Sequence, residues 1–87
     1  MWIRSQDRNM LINESYFRIY KERKGFSICS RIDVLGTYST EEKAMKVIDM
    51  IHSRIEKTTK YYEKSLQFTY GSEYVFEMPE DEEVCIL

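Results

Sequence analysis

Tyr16, Arg18, Tyr20 and, one strand further on, Arg31 have the types and spacing to do chemistry. In an extended chain, side chains two residues apart share a face. Tyr16, Arg18 and Tyr20 therefore line one side of a strand, and Arg31 alternates onto the same side of the next. An aromatic ring stacks on a nucleobase, and a guanidinium forks onto phosphate oxygens. Trp2, Arg4 and the polar pair Ser5-Gln6 are placed to lie beside them, and Phe76 offers a further ring. The candidate ligand-binding set is thus Arg4, Tyr16, Arg18, Tyr20, Arg31 and Phe76. The bland reading is an ordinary sheet surface, where Tyr and Arg are common.

Catalysis has less to work with. The chain has 1 His and 2 Cys. His52 falls on the flank of a helical segment without an evident partner. A Cys29–His52 nucleophile pair requires both on one side of the sheet, whereas Cys29 alternates onto the polar face and a helix should cover the other. Phosphate loops, paired histidines and metal-spaced carboxylates are not found outside the acidic end. The expectation is a non-enzyme with no cofactor and no metal.

The 87 residues suit one domain, and 43% hydrophobic content with only 3 Gly and 1 Pro argues against disorder. A chain this short buries a modest share of its surface, so self-association is expected. Residues 1–64 carry all 13 Lys and Arg against 9 acids, whereas 65–87 carry 6 acids and no base. That divides the chain into a domain at 1–79 and an acidic tail at 80–87, read as a solvated terminus. The longest apolar run, Val84–Leu87, is far too short to span a membrane, and Cys85 is one position out for a prenylation box. Free thiols at Cys29 and Cys85 suit the cytoplasm.

The elements that must position these residues are short strands, then a helix. Trp2–Gln6, Met10–Asn13 running into Tyr16–Lys21, Phe26–Ile32 and Val34–Tyr38 read as an antiparallel meander of about four strands, with Gly25 in a tight turn. Phe17 and Ile19, with Phe26, Ile28 and Ile32, make its apolar face; Tyr16, Arg18, Tyr20, Ser27, Cys29 and Arg31 make the other. A helix over 40–66, long or broken at Thr58-Thr59, covers the apolar face with Ala44, Val47, Ile48, Ile51 and Ile55. Met45 and Met50 read as core filler beside that stripe. Its start reads as a capping box, Ser39 with Glu42. The aromatic set Tyr61, Tyr62, Phe68, Tyr70, Tyr74 and Phe76 suits subunit contact, with a homo-oligomer formed through the Tyr61, Tyr62 and Leu66 region. A last strand, Glu73–Met78, ends at Pro79. The fold class is α+β.

Two resemblances add to this. Leu35–Ala44, preceded by strands, resembles plant AP2 and integrase arm-type DNA-binding domains over roughly residues 16–55. Such domains read DNA with sheet-face Arg and Trp, for which Arg18 and Arg31 qualify. The weak basic balance and acidic end argue against DNA. The whole chain resembles a small family of Firmicute phages and prophages through three runs. These are Met1-Trp2-Ile3-Arg4-Ser5-Gln6-Asp7, then Leu35-Gly36-Thr37-Tyr38-Ser39-Thr40 with Glu42-Lys43-Ala44, then Met78-Pro79-Glu80-Asp81-Glu82-Glu83. The pattern is similar to the Thoeris anti-defence sponges, which sequester a cyclic ADP-ribose signal, some also holding cyclic oligonucleotides. The resemblance implies a cytoplasmic protein of an infected or lysogenic host, an oligomer built from dimers, and ligand binding without turnover. The alternative is an anti-CRISPR-like inhibitor of a host defence complex, acting through the tail or the Tyr-rich surface.

Overall fold

A computed structural model describes residues 1–65 and 75–86, with side chains in the first segment described as far as Glu56. The order is β1 (Trp2–Arg4), β2 (Leu11–Asn13), β3 (Arg18–Glu22), β4 (Gly25–Cys29), β5 (Val34–Tyr38), α1 (Glu41–Ser65) and β6 (Val75–Glu77), then a 3-10 turn at Asp81–Glu83. The architecture is α+β: among the described residues, an antiparallel meander β3-β4-β5, a second three-stranded sheet ordered β2-β1-β6, and one α-helix.

The meander has three strands because Met10–Asn13 turns back onto β1 instead of feeding β3. Trp2 faces Asn13, Ile3 faces Ile12 and Arg4 faces Leu11. The turn between them builds itself: the Asp7 carboxylate accepts from the Ser5 hydroxyl at 2.6 Å and the Asn9 N–H at 3.0 Å. Arg8 takes a φ of 71° there. Both hydrogen bonds stabilise the charged carboxylate and hold Asp7 below its usual pKa, the Ser5 hydroxyl foremost. β6 joins the far side of β1 in parallel, with Ile3 beside Phe76.

One core lies between the sheets and the helix. Ile3, Phe76 and Met78 meet Ile28, Leu35 and Tyr38, with Ala44, Val47 and Ile51 from α1. Phe17, Ile19 and Phe26 pack against its edge, as their alternation predicts. Gln6 ties the sheets together. Its backbone N–H donates to Leu35 O at 2.8 Å, and its amide both donates to Thr37 O and accepts from Thr37 N–H. The same amide donates to Pro79 O at 3.0 Å.

Several expectations change. Ile32 is 90% exposed and not part of the apolar face. β4 stops at Cys29, and Ser30 and Asp33 close a turn (Ser30 N–H to Asp33 O, 2.8 Å) that puts Ile32 at its tip. The helix start is capped by Thr40, whose Oγ1 accepts the Lys43 N–H at 3.2 Å, so Ser39 is one position too early. The helix is one continuous element to Ser65, about 37 Å at 1.5 Å per residue, so Thr58-Thr59 does not break it. β-branched residues cost a helix only a few tenths of a kcal/mol each. Met45 and Met50 are exposed and not core filler. The expected subunit contacts at Tyr61, Tyr62 and Leu66, with Phe68, Tyr70 and Tyr74, lie outside the described side chains.

The acidic segment from residue 80 is docked instead of trailing in water. Val84 is 6% exposed and belongs to the core. Asp81 Oδ1 accepts from the Ser39 N–H at 2.8 Å and the Ser39 hydroxyl at 3.1 Å. Lys43 Nζ reaches Asp81 Oδ2 at 3.4 Å and donates to Asp81 O at 3.0 Å. The Tyr38 hydroxyl donates to Pro79 O at 2.8 Å. Burial above all, with the carboxylates of Glu80, Asp81 and Glu83, pushes the Tyr38 phenol well above its ordinary pKa, so it stays a neutral donor. Burial of Val84, the first apolar residue after the acids, and the Asp81 carboxylate at the positive end of α1 hold the segment in place.

Candidate ligand-binding face

The register of β3 on β4 builds the face. Arg18 lies opposite Cys29 and Tyr20 opposite Ser27; Tyr16 and Arg31 continue that row just beyond the ladder. Ile19 and Ile28 point the other way, into the core. Four of the six candidates, Tyr16, Arg18, Tyr20 and Arg31, therefore share one solvent-facing surface on the side away from α1.

They are arranged as two stacks. The Arg18 guanidinium carbon is 4.3 Å from the centre of the Tyr20 ring, and that of Arg31 is 5.8 Å from the centre of Tyr16. A guanidinium over a ring uses its planar face, leaving its N–H groups pointing outward in the plane. Each stack thus combines an exposed aromatic edge with donors suited to an anion. Tyr20 is 44% exposed.

The floor of the face differs from the alternation rule. Ser27 is 1% exposed and Cys29 is also buried, although both sit on the outward side. They are small residues on the central strand, paired with the longer Arg18 and Tyr20 on β3. The Ser27 Oγ is buried without a hydrogen-bond partner. Burial first, and the Glu22 carboxylate second, push the Cys29 thiol up, with Arg18 opposing. Cys29 is therefore held as a neutral thiol, which is a poor nucleophile.

Two carboxylates border the arginines. Glu14 is held below its usual pKa chiefly by the Ser15 N–H, with Arg31 adding attraction. Glu22 closes the other end of β3. The face carries both signs of charge, unlike the continuous basic stripe that a duplex requires.

Arg4 and Phe76 do not join it. Arg4 is on the outer side of the other sheet, in register with Leu11 and Glu77. Its Nη1 donates to Arg8 O at 3.3 Å, and its Nε is buried without a partner. Phe76 is 3% exposed, its ring in the core and the Arg54 guanidinium carbon 5.7 Å from its centre. It is closed to stacking on a ligand because β6 turns that side of the strand inward. Sequence reasoning missed this because the β1–β6 pairing joins segments from opposite ends of the chain.

His52 has a local partner after all: its Nε2 lies 3.0 Å from Glu56 Oε1, one helical turn on and exposed. It is on α1, across the sheet from Cys29. Among the described residues no cluster of three or more His, Cys, Asp and Glu is placed to hold a metal. No described helix is long and apolar enough to cross a membrane.

A groove of about 540 Å³, which the sequence did not reveal, lies elsewhere, between the start of α1 and the C-terminal segment. Glu41, Glu42, Asp49, Met45 and Ile86 line it, with Lys46 and Cys85. Its rim is acidic, which disfavours phosphate. The available signal was the apolar run that opens at Val84 directly after the acids, which favours packing of the segment. Compared with protein-family models, with curated proteins and with solved structures, the chain matches none.

Proposed function

We propose that this protein binds and sequesters, without turnover, a small phosphate-bearing ligand with an aromatic base, of the cyclic ADP-ribose or cyclic oligonucleotide type. The observation that carries the reading is the pair of Arg–Tyr stacks on one sheet face, Arg18 with Tyr20 and Arg31 with Tyr16. The arginine N–H groups would take phosphate oxygens, and the tyrosine rings would meet the base. The resemblance of the chain's three runs to anti-defence sponges supports the ligand class. Binding is the chemistry this face offers: its thiol is held neutral, and its arginines donate but do not accept protons.

The test is a thermal-shift and calorimetry screen against cyclic ADP-ribose isomers and cyclic di- and trinucleotides. Mass spectrometry of ligand released by heat then reads turnover. The expected result is a stabilising ligand recovered intact, with binding lost in Arg18→Ala or Arg31→Ala and melting unchanged without ligand. A flat screen, or a ligand recovered cleaved, overturns the reading.

A second reading, an inhibitor that binds a host defence protein, is favoured by the exposed Met45 and Ile86 in the acidic groove and the exposed Met50 in an adjoining groove lined by Lys46, Pro79 and Glu83. Exposed methionines beside a groove suit an apolar partner surface. Loss of inhibition in Met45→Glu with the ligand face intact would select it; the docked C-terminal segment is not a free peptide lure.

A further inference from the structure

The outer edge of β3 is a second feature that bears on association. In the meander, β3 and β5 are the two edges. The β5 edge is closed by Gln6, which bonds Leu35 O through its backbone and both Thr37 backbone groups through its side chain. Among the described residues nothing hydrogen-bonds to the outer edge of β3. An open strand edge presents a row of unpaired N–H and C=O groups and is a template for another strand.

The hairpin fixes which groups are offered. Glu22 pairs with Gly25 across the two-residue turn Arg23-Lys24. A two-residue turn makes its flanking pair a hydrogen-bonded one, and bonded pairs then alternate along the ladder. Arg18, Tyr20 and Glu22 therefore direct their backbone groups inward to β4. Ile19 and Lys21 direct theirs outward.

We propose that β3 pairs antiparallel with β3 of a second copy about a two-fold axis through Tyr20, forming one continuous six-stranded sheet. This register uses all of Arg18–Glu22. It joins the outward groups of Ile19 to those of Lys21 in the partner, twice by symmetry. On the exposed face it sets Arg18 against the partner's Glu22, and Glu22 against the partner's Arg18, with the two Tyr20 rings side by side. A two-fold contact demands a self-complementary strand, and Arg-Ile-Tyr-Lys-Glu is one. Charges on edge strands ordinarily repel a second strand. Here both signs are present at positions that pair under the symmetry. Centring on Lys21 would oppose Lys21 with itself, and centring on Ile19 would leave Glu22 facing Tyr16, so neither satisfies the charges. Arg18 keeps its stack while pairing, because the stack uses the guanidinium face and the ion pair uses its N–H edge.

The inference rests on the strand edge and its charges, independent of any ligand. Its test is therefore run without one, by light scattering and sedimentation over a wide concentration range. A five-residue edge contact is smaller than a standard interface, so dissociation on dilution is expected. Glu22→Arg turns both pairs into like charges and should weaken association roughly tenfold or more, halving the mass at concentrations where the wild type is associated. Arg18→Glu should do the same. Because Arg18 and Glu22 are exposed, both variants should fold, which circular dichroism checks. Mixing them restores opposite charges at both pairs and should regenerate the dimer, as should the double variant R18E/E22R. A monomeric wild type at the highest concentration, an assembly whose mass Glu22→Arg leaves unchanged, or single variants that fail to associate on mixing would each overturn the proposal.

Discussion

Asp81 should act as the clasp between the C-terminal segment and the start of α1, and its removal is measurable. Its Oδ1 takes the Ser39 N–H at 2.8 Å and the Ser39 hydroxyl at 3.1 Å, and Lys43 Nζ stands 3.4 Å from Oδ2. A hydrogen bond to a charged group contributes about 1.5–3 kcal/mol when shielded. The Asp81 side chain is 36% exposed, so solvent screens part of this, leaving about 1–2 kcal/mol for Asp81→Ala. In a domain of this size 1 kcal/mol moves the melting temperature by about 4–8 °C, so a fall of roughly 4–16 °C is expected. Asp81→Asn keeps an acceptor but loses the charge, and should cost about half as much. The Ser39 N–H foremost, with the Ser39 hydroxyl and Lys43 assisting, holds the Asp81 carboxyl below its ordinary 3.8. A carboxyl more acidic folded than unfolded stabilises above its unfolded pKa and loses that contribution as pH falls through the folded one. The stability gap between wild type and Asp81→Asn, measured by calorimetry, should thus be widest near neutral pH and close as pH drops below 3.8. If Asp81→Ala melts within a degree of wild type, or the gap does not narrow in acid, the clasp is not as described.

Two further outcomes test the frame. Thr40→Ala should cost about 1 kcal/mol by urea denaturation, because Thr40 caps α1; an unchanged midpoint would return the cap to Ser39. Ile51→Ala should cost about 3 kcal/mol, since Ile51 is buried in the core; a neutral effect would place the helix in another register.

What the sequence by itself determined is what short-range rules govern. Alternation placed Tyr16, Arg18, Tyr20 and Arg31 on one face and Phe17, Ile19 and Phe26 on the other, because a strand's side-chain period is a backbone property. The Thr/Ser-then-Glu signal located the helix start to within a residue, whereas the choice between a long helix and one broken at Thr58-Thr59 was left to the structure, which runs α1 unbroken to Ser65. The same rules misplaced residues whose surroundings come from distant chain. Ser27 and Cys29 obey the alternation yet are buried, which the period alone does not predict. Ile32 left the strand because Ser30 and Asp33 bond each other at the turn. Only the tertiary structure decided the rest. It drew β6 parallel to β1, which sent Phe76 inward and set Arg4 on a separate sheet. It also carried Asp81 to Ser39 and Val84 into the core. Those contacts join positions tens of residues apart, where no periodicity reaches. They are selected by the apolar surface and polar groups that the whole chain must satisfy at once.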